Sequence, residues 1–191
     1  MNKIANKPWR PTAEQLAAAH DGLVPDLIAP GLRVLFCGIN PGLYSAAIRR
    51  HYGRPGNRFW PALYAGGFTP RLLTPFEERE LLSLGYGLTN IVARGTARAD
   101  ELSDDELRQG AIILECKVRR YRPRMVAFLG LTSYRTGFHR PLAKIGLQEE
   151  RLVDAGIWVL PSPSGLNAHH QPADLARLFR ALREATGERP A

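Results

Sequence analysis

Four short apolar runs, set apart by stretches with helical patterning, constrain this chain more than any other feature. They are Leu32-Arg33-Val34-Leu35-Phe36-Cys37, Gly87-Leu88-Thr89-Asn90-Ile91-Val92, Met125-Val126-Ala127-Phe128-Leu129-Gly130 and Ile157-Trp158-Val159-Leu160. Each is bounded by Gly, Pro or polar residues and is too short for a core helix. Such runs read as strands buried on both faces. Helix signals fill the gaps. Thr12 with Gln15 makes a capping box before residues 16–19, and Gly22 and Pro25 close that short helix. Helices are expected from 43 to about 50, over 58–65, and from Thr74 or Pro75 to about 84. Ser103 with Glu106 opens a long helix to about 121, stopped by Pro123. A short helix over 132–138, a minor strand at 152–153 and an amphipathic helix over 173–185 complete the pattern. Strand alternating with helix, without internal repeat, predicts an α/β three-layer sandwich with a short, mainly parallel central sheet. Residues 1–25 read as an N-terminal arm and short helix, and residues 26–187 as a single domain.

Size and composition narrow the function classes. A chain of 191 residues, 45% apolar, can bury one core. No apolar run approaches the roughly 20 residues of a membrane span, and residues 1–10 lack the apolar stretch of a secretory signal. A cytoplasmic monomer is the expectation. The formal net charge is +8, and the basic surplus is mostly arginine, whose forked donors suit phosphate. Cys37 and Cys116 are expected as buried free thiols, and two cysteines cannot build a four-cysteine zinc or iron–sulfur site.

In parallel sheets, ligands gather at the carboxyl ends of the strands. Three loops qualify: 38–57, 93–102 and 161–170. The first begins Gly38-Ile39-Asn40-Pro41-Gly42 between a strand and a helix. Its glycines allow close backbone approach, and amides at a helix N-terminus favour an anion. Asn40 offers an acceptor that aligns a water without being a strong base. It is neither a Walker A loop nor a dinucleotide fingerprint. On its own, the loop reads equally as a site, a phosphate-binding turn or a structural turn.

The distal loops add to it. Residues 37–43, the block Asn57-Arg58-Phe59-Trp60, and the loop Pro161-Ser162-Pro163-Ser164-Gly165-Leu166 stand together at wide spacing. This set resembles the mismatch-specific uracil-DNA glycosylase and thymine-DNA glycosylase family of the uracil-DNA glycosylase superfamily, from about residue 28 to 183. The resemblance implies a uracil-DNA glycosylase-like fold. It also implies a monofunctional repair enzyme that hydrolyses the N-glycosidic bond of uracil mispaired with guanine, leaving an abasic site. Thymine and other damaged pyrimidines are further candidate substrates. The partner implied is double-stranded DNA, so the protein would be nucleoid-associated when bound; no cofactor or metal is implied.

The resemblance also implies roles. Asn40 positions the attacking water, Gly42 contacts the base through its amide, and Tyr52 stacks on the flipped base. Gly165, Leu166 and Asn167 enter the duplex, with Leu166 filling the gap. The physics is consistent: a base inside a duplex must be extruded, an apolar wedge holds the stack open, and an aromatic face adds about 1–3 kcal/mol. Ser45 and Ser162 are expected to line the pocket. Arg54 and Arg58, with Arg49 and Arg50, are expected as a phosphate clamp. His51 is expected either to touch phosphate or to be an exposed loop residue. Ala93 stands where the family carries an acid, which predicts slower catalysis, and Asp100 is a candidate helper carboxylate. The alternative is a protein that binds mismatches or abasic sites with little turnover.

Overall fold

The four apolar runs become adjacent parallel strands. In the computed structural model, which describes residues 10–165 and 170–187, the elements follow the order α1 (Ala13–Ala18), β1 (Val34–Gly38), α2 (Leu43–Ile48), α3 (Phe59–Ala65), α4 (Glu80–Ser83), β2 (Tyr86–Asn90), α5 (Asp104–Tyr121), β3 (Met125–Leu129), α6 (Leu131–Gly137), β4 (Gly146–Leu152), β5 (Ala155–Leu160) and α7 (Pro172–Ala185). The sheet order is β2-β1-β3-β5-β4. β2, β1, β3 and β5 run parallel, and β4 closes one edge antiparallel to β5.

Every residue of β1 is buried, and its alternation divides the core in two. Val34 and Phe36 face a cluster filled by Phe59 and Leu63 of α3 and by Leu175 and Phe179 of α7. Leu35 and Cys37 face the opposite cluster, filled by Leu107, Leu114 and Val118 of α5 and by Tyr134 of α6. A continuous apolar strand thus serves two helical layers at once, as the three-layer reading requires. Phe36 is the hub of the first layer. Its ring makes edge contacts with Phe59, Phe68 and Tyr86 and stacks on Phe179 at 6.0 Å between centroids.

The structure revises several expectations. β4 spans seven residues, where the sequence pattern marked only 152–153. As a strand alternating between half-buried and exposed residues, it lacks the continuous apolar run that identifies the others. The helix expected over 43–50 ends at Ile48, because Arg49 turns left-handed with φ 54°. The helix expected over 74–84 divides into a 3-10 turn at Pro75–Glu77 and the single turn of α4. Cys116 is exposed on α5 rather than buried, whereas Cys37 is buried as expected.

The segment after α1 is bound into the domain. Leu27 exchanges backbone hydrogen bonds with Leu88, and Gly95 donates to the Gly22 carbonyl. Residues 1–9 lie outside those described. No described helix is long and apolar enough to cross a membrane.

Candidate active site

β1 ends at Gly38, β2 at Asn90 and β5 at Leu160, and because these strands run parallel the chain leaves all three at the same carboxyl end of the sheet. The three loops that follow meet there around a cavity of about 620 Å3. Its wall includes Asn40, Tyr52 and Asn57 from the first loop, Thr96 and Arg98 from the second, and Ser162 from the third.

Asn40 is fixed by what its amide nitrogen does. Nδ2 donates to the Arg94 carbonyl at 3.1 Å and to Thr96 Oγ1 at 2.7 Å. A backbone carbonyl accepts only, so the NH2 end of the amide must face that side. Both of its hydrogens are used. Oδ1 is turned the other way, and no donor among the described residues reaches it. Thr96 is itself held: it is 1% exposed, its hydroxyl donates to the Arg98 carbonyl at 2.7 Å, and its N–H donates to the Pro41 carbonyl. Leu43 N–H returns a bond to the Thr96 carbonyl, so the first two loops are laced together beside Gly42. The Gly42 amide precedes α2 and has no acceptor among the described residues.

The floor of the cavity is built on Gly38. A Cβ there would lie 2.5 Å from Asn90 Oδ1 and 2.9 Å from the Tyr52 hydroxyl oxygen, closer than real contacts permit. Glycine therefore lets two polar groups converge under the cavity. Asn90 is the last residue of β2, and its side-chain amide has no partner among the described residues. Tyr52 adopts a left-handed φ of 51° and stacks on Phe59 with centroids 4.0 Å apart and planes at 24°. Burial holds its hydroxyl well above the ordinary phenol range, so it stays protonated.

A backbone of glycines and prolines, an amide with a free acceptor and a stacked aromatic can hold a neutral planar heterocycle beside a fixed water. The profile of the Uracil DNA glycosylase superfamily matches residues 25–183. The chain belongs to that superfamily. Its members are DNA glycosylases, hydrolases that act on DNA. Among solved structures, the chain is similar to the solution NMR structure of a Methanosarcina acetivorans protein provisionally described as a uracil DNA glycosylase. The two share 19% identity over 85% of this chain and 98% of that one, with a TM-score of 0.57.

Within this glycosylase fold, the residues singled out from sequence have separate fates. Asn40, Gly42, Ser45, Tyr52, Arg54, Asp100 and Ser162 all line the cavity. The Ser45 hydroxyl is occupied in accepting from Gly53 N–H at 2.9 Å, which shapes the turn before Tyr52. The Ser162 hydroxyl accepts from Ser164 N–H at 3.3 Å. Arg54 is exposed at the rim with no acidic partner among the described residues. Asp100 is exposed and gripped by Arg98 through two bonds of 3.0 and 2.5 Å. That grip holds its carboxyl below the usual range, so it is a fixed charge at the rim rather than a proton carrier.

Three expectations need correction. Ala93 is exposed and does not line the cavity, so the position of the family acid lies outside the wall. The neighbouring Arg94 side chain points to Glu106 and Asp21, and only its backbone carbonyl serves the site. Arg58 is not a free phosphate ligand: its guanidinium is bound to the carbonyls of Ser164 and His170. His51 is neither exposed nor a surface contact; it is 2% exposed and bound to Glu78 through its N–H at 3.0 Å and its Nδ1 at 3.3 Å. Gly165 sits against Gly56, while Leu166 and Asn167 lie outside the described residues.

Sequence reasoning passed over Asn90 and Thr96. Asn90 carried a usable signal, a large polar residue interrupting an apolar run near a strand's carboxyl end. Thr96 carried none, since only the folded loop reveals that its hydroxyl meets Asn40.

Proposed function

We propose that this chain is a monofunctional glycosylase that hydrolyses the N-glycosidic bond of uracil in DNA, with uracil opposite guanine as its principal substrate. The observation that carries this reading is the orientation of Asn40: with Nδ2 committed to Arg94 and Thr96, Oδ1 is left to accept a hydrogen bond from water. The water oxygen bonds to the sugar C1′ as the bond from C1′ to the base breaks. The base departs with the bonding electrons, and the water's surplus proton passes to solvent. Asparagine does not take that proton; it aligns the water against a carbon that already carries developing positive charge.

The leaving base becomes an anion, and the Gly42 amide, which has no acceptor among the described residues, suits such charge at the start of α2. Tyr52 backs the base with a face pinned by Phe59. The Asn90 amide offers a donor and an acceptor side by side, which complements the N3–H and O4 edge of uracil. Arg54, at the rim and without an acidic partner among the described residues, suits a DNA phosphate.

The test is base release from a duplex containing one G·U pair, read as strand breakage after alkali. Breakage at that position is expected. Tight binding of the duplex with no breakage would instead leave a mismatch-binding protein with little turnover. Asn40→Ala is expected to slow single-turnover release by about 100-fold or more, a loss typical of removing a positioned polar group from a transition state. Its dissociation constant for the duplex should change by less than about threefold. Equal losses in both would overturn the water-positioning role.

A further inference from the structure

We infer that the amino end of the sheet, opposite the cavity, carries a second DNA-binding surface, built on Arg122, Arg124 and Arg151, that holds a separate segment of duplex. The inference rests on membership of a superfamily that acts on DNA, and not on the choice of uracil as the base. The run Lys117-Val118-Arg119-Arg120-Tyr121-Arg122-Pro123-Arg124 places five cations in eight positions without an acid. It closes α5 and leads into β3. Three of these cations are engaged: Lys117 with Asp26 at 2.6 Å, Arg119 with Glu115 at 2.8 Å, and Arg120 over the Tyr121 ring at 5.3 Å. Arg122 and Arg124 are exposed and have no acidic partner among the described residues.

The fold gathers these two with a third arginine. Arg122, Arg124 and Arg151 of β4 border one notch of about 260 Å3, over Val118 and Val153. One acid, Asp154, shares the wall, and its carbonyl accepts from Arg151 Nη2. The backbone beneath is pinned: Arg124 N–H donates to the Leu32 carbonyl at 2.8 Å, and the Arg124 carbonyl accepts from Gly156 N–H at 2.9 Å. The end of α5 accounts for Arg119 and Arg120, which sit in its last turn, since a helix end draws cations only within that turn. Arg124 and Arg151 lie outside it. Like charges held round one notch repel each other, and a phosphate between them turns that repulsion into attraction. With Arg119 and Arg120 beside the notch, the basic surface extends past a single phosphate, as a polyanion requires.

Position gives this surface a task of its own. β1, β3 and β5 run parallel, and Arg33, Arg124 and Asp154 directly precede them, so the notch lies at the strands' amino ends and the cavity at their carboxyl ends. The length of β3 alone, from Met125 to Leu129, sets the two apart by about 13 Å at about 3.3 Å per residue step. A straight duplex seated over the cavity stays on the carboxyl side of the sheet. The notch therefore takes another segment, and a protein holding two segments passes from one to the other without first leaving DNA.

Counting bound duplexes tests this. Sedimentation of the wild-type chain at low salt, with an excess of a short duplex free of uracil, is expected to show two duplexes per chain, and Arg122→Gln with Arg124→Gln only one. Arg124→Glu alone should weaken the second duplex by about tenfold or more, the scale of one charged hydrogen bond. Single-turnover uracil release from a short G·U duplex should stay within about twofold of wild type in every variant, because sites this far apart act independently. One duplex per wild-type chain, two on the double variant, or a fall in uracil release matching the loss of the second duplex would each overturn the inference. Tighter capture of an RNA duplex than of the DNA duplex at the second site would overturn its assignment to DNA. If the double variant does not fold, Arg124→Glu carries the same comparison. If wild type releases no uracil, the proposed substrate fails, and the duplex count still decides whether the second surface exists.

Discussion

At the scale of single residues, the site depends on hydrogen bonds that orient a weak group rather than activate a strong one. Asn40 has no basicity to tune, so its usefulness lies in which end of the amide faces the cavity. Thr96 decides that. Its hydroxyl takes one Nδ2 hydrogen at 2.7 Å and is itself prevented from rotating by its bond to the Arg98 carbonyl. Thr96→Val keeps the shape and removes the acceptor. The Asn40 amide is then held on one side only. The expected result is a drop of about tenfold in the single-turnover rate of uracil release, the effect of one lost bond between neutral groups in a buried setting. Duplex affinity should be nearly unchanged, and Thr96→Ser should restore most of the rate. A fall in affinity matching the fall in rate would show that Thr96 supports the fold of the loop rather than the orientation of Asn40.

At the scale of elements, β1 links the core to the chemistry. Its first four residues anchor two helical layers, and its last, Gly38, forms the cavity floor. Phe36 carries most of the packing on one side, with four aromatic neighbours. Phe36→Ala is expected to cost about 3–5 kcal/mol, the usual price of emptying a fully buried aromatic site, read as a lower urea midpoint with a similar slope. The same strand shows why much of the fold was legible in sequence. Residues 34–37 are apolar on both faces, and only a central strand between two layers needs that pattern. The capping boxes at Thr12 and Ser103 form as their spacing required, and α5 and α7 begin within a residue of expectation. β4 was nearly invisible because this edge strand carries three consecutive charged residues, Glu149, Glu150 and Arg151, which erase any apolar alternation. In the site, Asn40 and Gly42 stood out only once the distal loops were read with them, because a turn of glycine and proline by itself reads equally as structure. The fates of His51 and Arg58 were not legible, because partners 27 and 112 residues away decide them.

At the scale of the whole molecule, ion pairs tie the site's scaffold to distant elements and give it a dependence on pH. Arg94, whose carbonyl holds Asn40, is clasped by Glu106 at 2.6 and 3.1 Å and by Asp21 at 3.1 Å. The Arg94 guanidinium, with the Ser103 N–H and hydroxyl, draws the Glu106 carboxyl down to about 2. Glu77 is likewise held at about 2, first by the Thr74 N–H, then by the Thr74 hydroxyl and Arg71. A carboxyl whose folded value lies below its unfolded value of 4.5 stabilises the fold fully above 4.5. That contribution fades as pH falls towards 2. Both side chains are 34% exposed, so solvent screening keeps each effect small. His20 acts in the opposite sense: Asp21 and Glu101 raise its value, so its contribution is full below 6.5 and is lost as pH rises through the raised value. Melting temperature should therefore change little between pH 5 and 6.5 and fall steadily below about 4.5. Glu106→Gln with Glu77→Gln should lower the melting temperature at pH 6, and the gap to wild type should close as pH approaches 2. A constant gap across that range would mean that the two carboxylates support the fold through shape alone. Because Arg94 joins this network to Asn40, the Glu106 change should also weaken uracil release at pH 6, where the molecule is still folded, and the Glu77 change alone should leave release unaffected.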